Sequence, residues 1–380
     1  MAAVTQTQLG ASLNAKQAKD KLRSNFRPAS HAVQRCPGKA TKTNIATRGL
    51  TYPKLSISNA GNQSRSHSVR SVATTEPEVA AEATEFDFNE YVKKTAAVVE
   101  KALDASIEEE YPESLTKSMR YSLLAGGKRI RPMLCLAACE MLGGNIDQAI
   151  PTACSLEMLH TMSLIHDDLP MMDNDDFRRG KPTNHKVFGE EVAILAGDAM
   201  LCRAFEYIAA ETRGVPADKV LRIISLVGRC VGAHGLCGGQ VVDIEMEGDS
   251  NTATLETLQY IHHHKTAVLL EAAVVSGAII GGATETDVAH LEKYARNIGL
   301  AFQVVDDILD VTQTSEQLGK TAGKDLTAGK STYPSLLGLE ESKRIANQLI
   351  EDAKAELDIY DPELRAPLVA LADFIGSRQN

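Results

Sequence analysis

The sequence predicts an all-α protein, one helical domain of about ten helices, and three observations carry that expectation. Apolar residues recur at helical spacing from about Phe86 almost to the C terminus. Alternating apolar and polar runs are few, and no hairpin dipeptide of the Asn-Gly kind separates two of them. Leu, Ala, Val, Ile and Met dominate the apolar content, aromatics make up only 4%, and Trp is absent.

Taken in order, Tyr91, Thr95, Val98, Val99 and Leu103 form a first helical stripe. Leu115, Met119 and Leu123 form a second, ended by Gly126 and Gly127. Pro132 suits the first turn of the helix that follows. Pro151 is expected to open another helix, which runs to Asp168 and stops at Leu169-Pro170 because Pro cannot continue it. Further helices fit residues 189–210, 216–235, 239–247, 253–281, 286–312, 333–338, 341–358 and 363–375. The stretches 174–188 and 313–332 are polar, basic and irregular, and read as functional loops. Thr266 to Ala283 is the most apolar stretch, but Glu271 and several small residues interrupt it, which suits a buried core helix better than a membrane span.

Charge divides the 380 residues unevenly. Residues 1–75 hold twelve Lys/Arg, 17 Ser/Thr and a single acid, Asp20, whereas residues 76–380 hold 28 basic and 49 acidic residues. The first segment reads as a removable organelle transit peptide, with plastid the first choice of destination and mitochondrion the second. The second reads as the folded domain. A net charge of −10 argues against a general nucleic-acid or membrane-surface binder. Seven cysteines without a CxxC pair argue against a zinc site, and the lack of a secretory signal argues against a disulfide framework.

Two acidic clusters carry the chemistry. Asp167, Asp168 and Asp173 follow an apolar helix, with Arg178 and Arg179 close behind. Six residues is not one helix face, but the break at Pro170 lets Asp173 fold back. Asp306, Asp307 and Asp310 form the second cluster, in which Asp306 and Asp310 share a face at i,i+4. Clustered buried carboxylates repel each other and need a cation, and magnesium suits hard oxygen ligands completed by phosphate oxygens. Positive charge gathers beside them at Lys128, Arg129, Arg131, Lys265, Lys320, Lys324 and Lys330. That combination suits diphosphate substrates. His262, His263 and His264 look like a metal tract, but successive residues point around a helix, so they read as structural or exposed.

These motifs resemble those of the trans-isoprenyl diphosphate synthases, most closely the plastid geranylgeranyl diphosphate synthases of plants. The resemblance covers residues 85–380 and is carried by Gly127 to Pro132, Asp167 to Asp173 with Arg178-Arg179, Gly239 to Asp243, Lys265-Thr266, Phe302 to Asp310 and Gly319 to Asp325. It implies an isoprenoid-synthase helical bundle around a deep cavity. It also implies head-to-tail condensation of isopentenyl diphosphate with dimethylallyl, geranyl or farnesyl diphosphate. By the same resemblance Asp167, Asp173 and Asp306 hold magnesium, about three ions in all, with Asp168, Asp307 and Asp310 completing the two catalytic motifs. Arg178, Lys265, Thr266, Gln303, Lys320 and Lys330 would contact the allylic diphosphate. Lys128, Arg131, His160 and Arg179 would hold isopentenyl diphosphate, while Gln240 and Asp243 line the cavity.

Four residues, not the usual two, separate the aspartate pair from Asp173, as in the subgroup that makes C20 products. Ser163 lies one turn before Asp167 on the same face, roughly 6 Å along the axis, and Met162 projects to the neighbouring side. Together they are the expected chain-length pocket. The resemblance further implies a homodimer, and contact with a non-catalytic small subunit through the region of Cys135 and Cys139. By type alone those two cysteines are expected to be buried core thiols. A class I terpene cyclase is the competing reading, as is a synthase that stops at C10 or C15 or extends to C25. A cyclase normally carries a mixed Asn/Ser/Glu second motif in place of Asp306, Asp307 and Asp310.

Overall fold

The computed structural model describes residues 86–247, 254–313 and 331–378, and they fold as helices with one minimal hairpin. The segment 1–75, together with Lys320, Lys324 and Lys330, lies outside the described residues.

Helix α1 (Phe88–Ser106) starts where Asp87 accepts the Glu90 amide at 3.0 Å, and buries Thr95, Val99 and Leu103 as the stripe predicts. Helices α2 (Glu113–Leu123) and α3 (Ile130–Met141) are joined by a turn in which Gly126, Gly127 and Arg129 all take positive φ. Helix α4 (Ile146–Asp167) corrects one expectation. It begins five residues before Pro151, where the Asn145 side chain accepts the Asp147 amide at 2.9 Å. Pro151 lies inside the helix, buried. There it removes one ladder hydrogen bond, and the packing around it holds the helix across the gap.

The 174–188 stretch is more ordered than a loop. Strands β1 (Phe177–Arg178) and β2 (Lys181–Pro182) pair antiparallel, and helix α5 (Asn184–Phe188) follows. Arg179 and Gly180, with φ of 53° and 75°, make a turn of the primed hairpin type without the usual Asn-Gly signature.

Next come α6 (Glu190–Glu211), α7 (Ala217–Val231) and α8 (Leu236–Met246). The expected helix over 253–281 is three pieces: α9 (Leu255–Ile261), a π-helical turn over His262–Ala267, and α10 (Val268–Gly281). Helix α11 (Glu285–Thr312) opens on a reciprocal Thr284–Asp287 capping box. The chain closes with α12 (Tyr333–Leu337), α13 (Leu339–Glu356) and α14 (Pro362–Ser377).

The core lies where α3, α4, α10 and α11 pack on one another, with α6 along α4 and α13 along α11. Helices α3 and α10 touch through backbone: a Cβ on Gly277 would stand 1.9 Å from the Cys135 carbonyl oxygen. Cys135 and Cys139 lie in this seam with their thiols fully buried, as expected of core cysteines.

Two helical stretches are long and apolar enough to span a membrane by composition, Leu255–Gly281 and Ala217–Met246. The first is 78% buried over its most apolar window, as the sequence predicts of a core helix. The second is only 28% buried, and it leaves Leu221, Val241 and Ile244 exposed.

Candidate active site

Helix α4 delivers the first acidic cluster. The chain reverses directly after it: the Asp173 amide donates to the Asp167 carbonyl at 2.8 Å, and the Asp175 amide to that of Asp168 at 3.2 Å. Asn174, at φ 52°, turns the corner. The six-residue gap is thereby closed and the two carboxylates share one environment. Burial pushes the Asp167 carboxyl up to about 6; Asp173 and Asp168 push the same way, while Lys265 and Arg178 oppose. Asp168 is buried and already engaged, accepting from Arg178 at 2.7 Å, with Asp175 at 3.4 Å on the same guanidinium. Burial still raises its pKa.

The second cluster lies on α11. Asp306 is half-buried, whereas Asp307 and Asp310 are buried. Asp307 accepts the Tyr333 amide at 2.9 Å, tying α11 to the start of α12, and His262 stands 3.8 Å from the same carboxylate oxygen. His262 is therefore buried in the site wall, stacked with Tyr333, rather than a surface residue. One Asp310 oxygen has no hydrogen-bond partner among the described residues.

Asp306 meets a residue that no motif announced. Arg378, just past the last helix, bridges it at 2.9 Å, donates to the Phe302 carbonyl and stacks 3.6 Å over the Phe302 ring. Lys128 lies in the field of both Arg378 and Asp306, and burial lowers its pKa.

A cavity of about 140 Å³ opens between α8, α9, the π-turn and α11. Asp243, His262, Lys265, Gln303, Asp307 and Thr332 line it. The Lys265 ammonium donates to Asp243 at 2.7 Å and also acts electrostatically on Asp167, so it links the cavity to the first cluster. Thr266 follows within the π-turn, and Gln240 lies one helical turn before Asp243. The π-turn puts Lys265 on an irregularity of the kind that occurs often at functional sites.

A third group gathers around His160. Arg131, Arg179, Arg178 and Arg129 all act on it, and burial with their charge holds its imidazole neutral, well below the usual range. The Arg179 guanidinium lies flat on the preceding turn and donates to the Gly126 carbonyl. A Cβ on Gly127 would stand 2.7 Å from its Cζ and would push this guanidinium aside, and a φ of 132° there favours glycine. Arg131 and Arg179 both act on His160, and Lys128 lies in the field of Asp306 and Arg378 of the second acidic cluster.

Among the described residues no three His, Cys, Asp or Glu side chains converge into a ready-made metal site. The donor set nonetheless fits a hard divalent ion. It is all oxygen, and Asp167 and Asp173 repel one another where a cation would relieve them. Such an ion would draw its remaining ligands from substrate oxygens.

A helical cavity walled by Asp243, Lys265 and Asp307, with Lys265 also acting on Asp167 of the first acidic cluster, is a setting for metal-assisted chemistry on phosphorylated substrates. The chain belongs to the polyprenyl synthetase family, whose pattern matches residues 112–361. It is 57% identical to a chloroplastic geranylgeranyl pyrophosphate synthase of Catharanthus roseus, over 78% of this chain and 82% of that one. It is 60% identical to a dimethylallyltranstransferase of Fischerella ambigua, over 78% and 85%. It is 55% identical to the chloroplastic heterodimeric geranylgeranyl pyrophosphate synthase large subunit 1 of Arabidopsis thaliana, over 79% and 82%. Among solved structures, the geranylgeranyl pyrophosphate synthetase of Pyrococcus horikoshii superposes with a TM-score of 0.69 at 33% identity, covering 77% of this chain and 98% of that one. The family uses magnesium.

Proposed function

We propose that this protein is a plastid trans-prenyltransferase that adds isopentenyl diphosphate to allylic diphosphates and ends at geranylgeranyl diphosphate. The observation that carries it is the folded-back Asp167/Asp173 pair beside Lys265, in a chain 55–60% identical to named synthases. Asp167, Asp173 and Asp306 would hold the magnesium, about three ions, which when bound neutralises the leaving diphosphate. Arg178, Lys265, Thr266 and Gln303 would hold the allylic diphosphate, joined by Lys320 and Lys330 from outside the described residues. Lys128, Arg131, His160 and Arg179 would hold isopentenyl diphosphate, with Gln240 and Asp243 supporting the cavity wall.

The allylic C–O bond breaks as the diphosphate takes the electron pair. The isopentenyl double bond supplies the new C–C bond, and a proton leaves C2 for the departing diphosphate. The fixed cations orient both diphosphates, and the apolar helix walls keep water from the allylic cation. Ser163, one turn before Asp167 and bonded back to the His160 carbonyl at 2.8 Å, leaves a growing tail its path. Met162, buried beside it, narrows that path.

Exposed Leu221, Val241 and Ile244 support a homodimer, because a single chain leaves this apolar stretch in water. A heteromer with a small subunit has a named parallel in the Arabidopsis large subunit. The buried Cys135 and Cys139 thiols could support it only by shaping the α3 seam, since neither reaches the surface. Residues 1–75 would be the transit peptide and 76–380 the catalytic domain.

The test is to incubate the chain lacking residues 1–75 with magnesium, isopentenyl diphosphate and each allylic diphosphate, and to identify products by mass. A C20 prenyl diphosphate is expected. A cyclic hydrocarbon would select the terpene cyclase, and C10, C15 or C25 as the main product would overturn the length assignment.

A further inference from the structure

Helix α4 carries one more charge into the guanidinium group than the proposed mechanism uses. Glu157, three residues before His160, is only 2% exposed. Its Oε1 accepts Arg129 Nη1 at 2.6 Å and lies 4.0 Å from Arg179 Nη2, and its charge acts on Arg131. The three arginines are not equivalent. Arg129 is spent internally: besides Glu157 it donates to Glu100 at 2.7 Å and to the Leu123 carbonyl at 2.8 Å. Arg131 keeps a buried Nε with no hydrogen-bond partner among the described residues. Arg179 spends Nη1 on the Gly126 carbonyl, and its Nη2 only just reaches Glu157.

Three clustered guanidiniums, that of Arg129 buried and those of Arg131 and Arg179 only partly so, repel one another, and long side chains respond by turning toward water. The carboxylate of Glu157 opposes that from the helix side. It draws Arg129 inward and stands behind Arg179. We infer that Glu157 is a positioning residue for the isopentenyl diphosphate subsite, holding Arg129 out of the pocket and Arg179 in register with Arg131 so that their remaining N–H donors face the diphosphate. The inference rests on the subsite assignment made under the proposed function.

Glu157→Gln keeps the shape and one acceptor oxygen while removing the charge. Steady-state KM for isopentenyl diphosphate and for geranyl diphosphate, kcat and Tm are measured for this variant, for Glu100→Gln and for Arg179→Ala. Glu157→Gln should raise the isopentenyl KM about tenfold and leave the geranyl KM within about twofold, the split expected when donors are misplaced at one subsite only. Glu100→Gln removes the other carboxylate on Arg129. It should lower Tm without that split. An unchanged or lowered isopentenyl KM in Glu157→Gln, equal shifts in both KM values, or the same split in Glu100→Gln would overturn the inference. Arg179→Ala separates the two layers. If it spares the isopentenyl KM, the subsite assignment itself falls; if it raises that KM selectively and Glu157→Gln does not, only the role of Glu157 falls. Should Glu157→Gln not fold, Glu157→Asp retains the charge but withdraws it by one methylene. It is then expected to show the same split at about threefold, and an absent split there equally overturns the inference.

Discussion

Arg129 and Arg131 share a side chain, a motif and a helix start, yet they do different work. Two residues along a helix is about 200° of rotation, so one guanidinium enters the core and the other turns toward His160 and Arg179. Nothing in the residue types could separate them, because the sorting depends on where Glu100 and Glu157 lie in three dimensions. Arg129→Ala should therefore cost about 3–5 kcal/mol of stability, since it strands a buried carboxylate. Arg131→Ala should leave Tm nearly unchanged and weaken isopentenyl diphosphate. Thermal melts and KM values of both variants test the contrast, and similar Tm losses would contradict it. Asp167 gives a pH-dependent expectation. Its folded pKa of about 6 stands above the ordinary 3.8, so the folded state binds the extra proton. The metal-free protein should then lose stability as pH rises from about 4 through 6. Asp167→Asn removes that loss. With chelator present it should melt higher than wild type at pH 7.5, by about 2–4 °C for each kcal/mol relieved, with the gain vanishing near pH 4. A difference in Tm that does not vary with pH would contradict the assignment. With magnesium and substrates the same variant should lose about a hundredfold or more in kcat.

Secondary-structure elements explain what the sequence could and could not disclose. The stop at Leu169-Pro170 and the return of Asp173 were legible because proline ends a helix for local, covalent reasons. The start of α4 was not, because packing carries the helix across Pro151 and a distant core leaves no local signal. The π-turn at 262–267 is equally silent, since its pattern of apolar residues is that of an α-helix with one residue to spare. The hairpin at 177–182 escaped because Arg179 takes the left-handed position usually filled by Asn or Gly, held there by its own contact with Gly126. That contact predicts the outcome of Gly127→Ala. The new methyl would meet the Arg179 guanidinium and also strain a backbone at φ 132°, so KM for isopentenyl diphosphate should rise more than that for the allylic substrate. Equal effects on both substrates would show that Arg179 does not act from this position. On the α4 face, Ser163→Phe should shorten the main product to C15 or less, and Met162→Ala should let some C25 appear. Chromatography of the products decides both.

For the whole molecule, the most apolar surface is a matter of assembly. The Ala217–Met246 stretch is only 28% buried over its most apolar window and leaves Leu221, Val241 and Ile244 exposed. A second copy on that face would cover these side chains, and on the proposed reading the chain lacking residues 1–75 should sediment as a dimer at micromolar concentration. Leu221→Asp, which places a charge on that face, should shift the population toward monomer, and a monomeric wild type would remove the basis for a dimer. The homodimer was expected from resemblance alone. Sequence pattern fits helices over 216–235 and 239–247 but could not say that Leu221, Val241 and Ile244 stay exposed. The position of Arg378 has a practical side. The residue that clasps Asp306 stands one position past the last described helix, Pro362–Ser377. A fusion or truncation placed at Ser377 would take that clasp away from the second acidic cluster, and protein made that way could look inactive for reasons that belong to the vector.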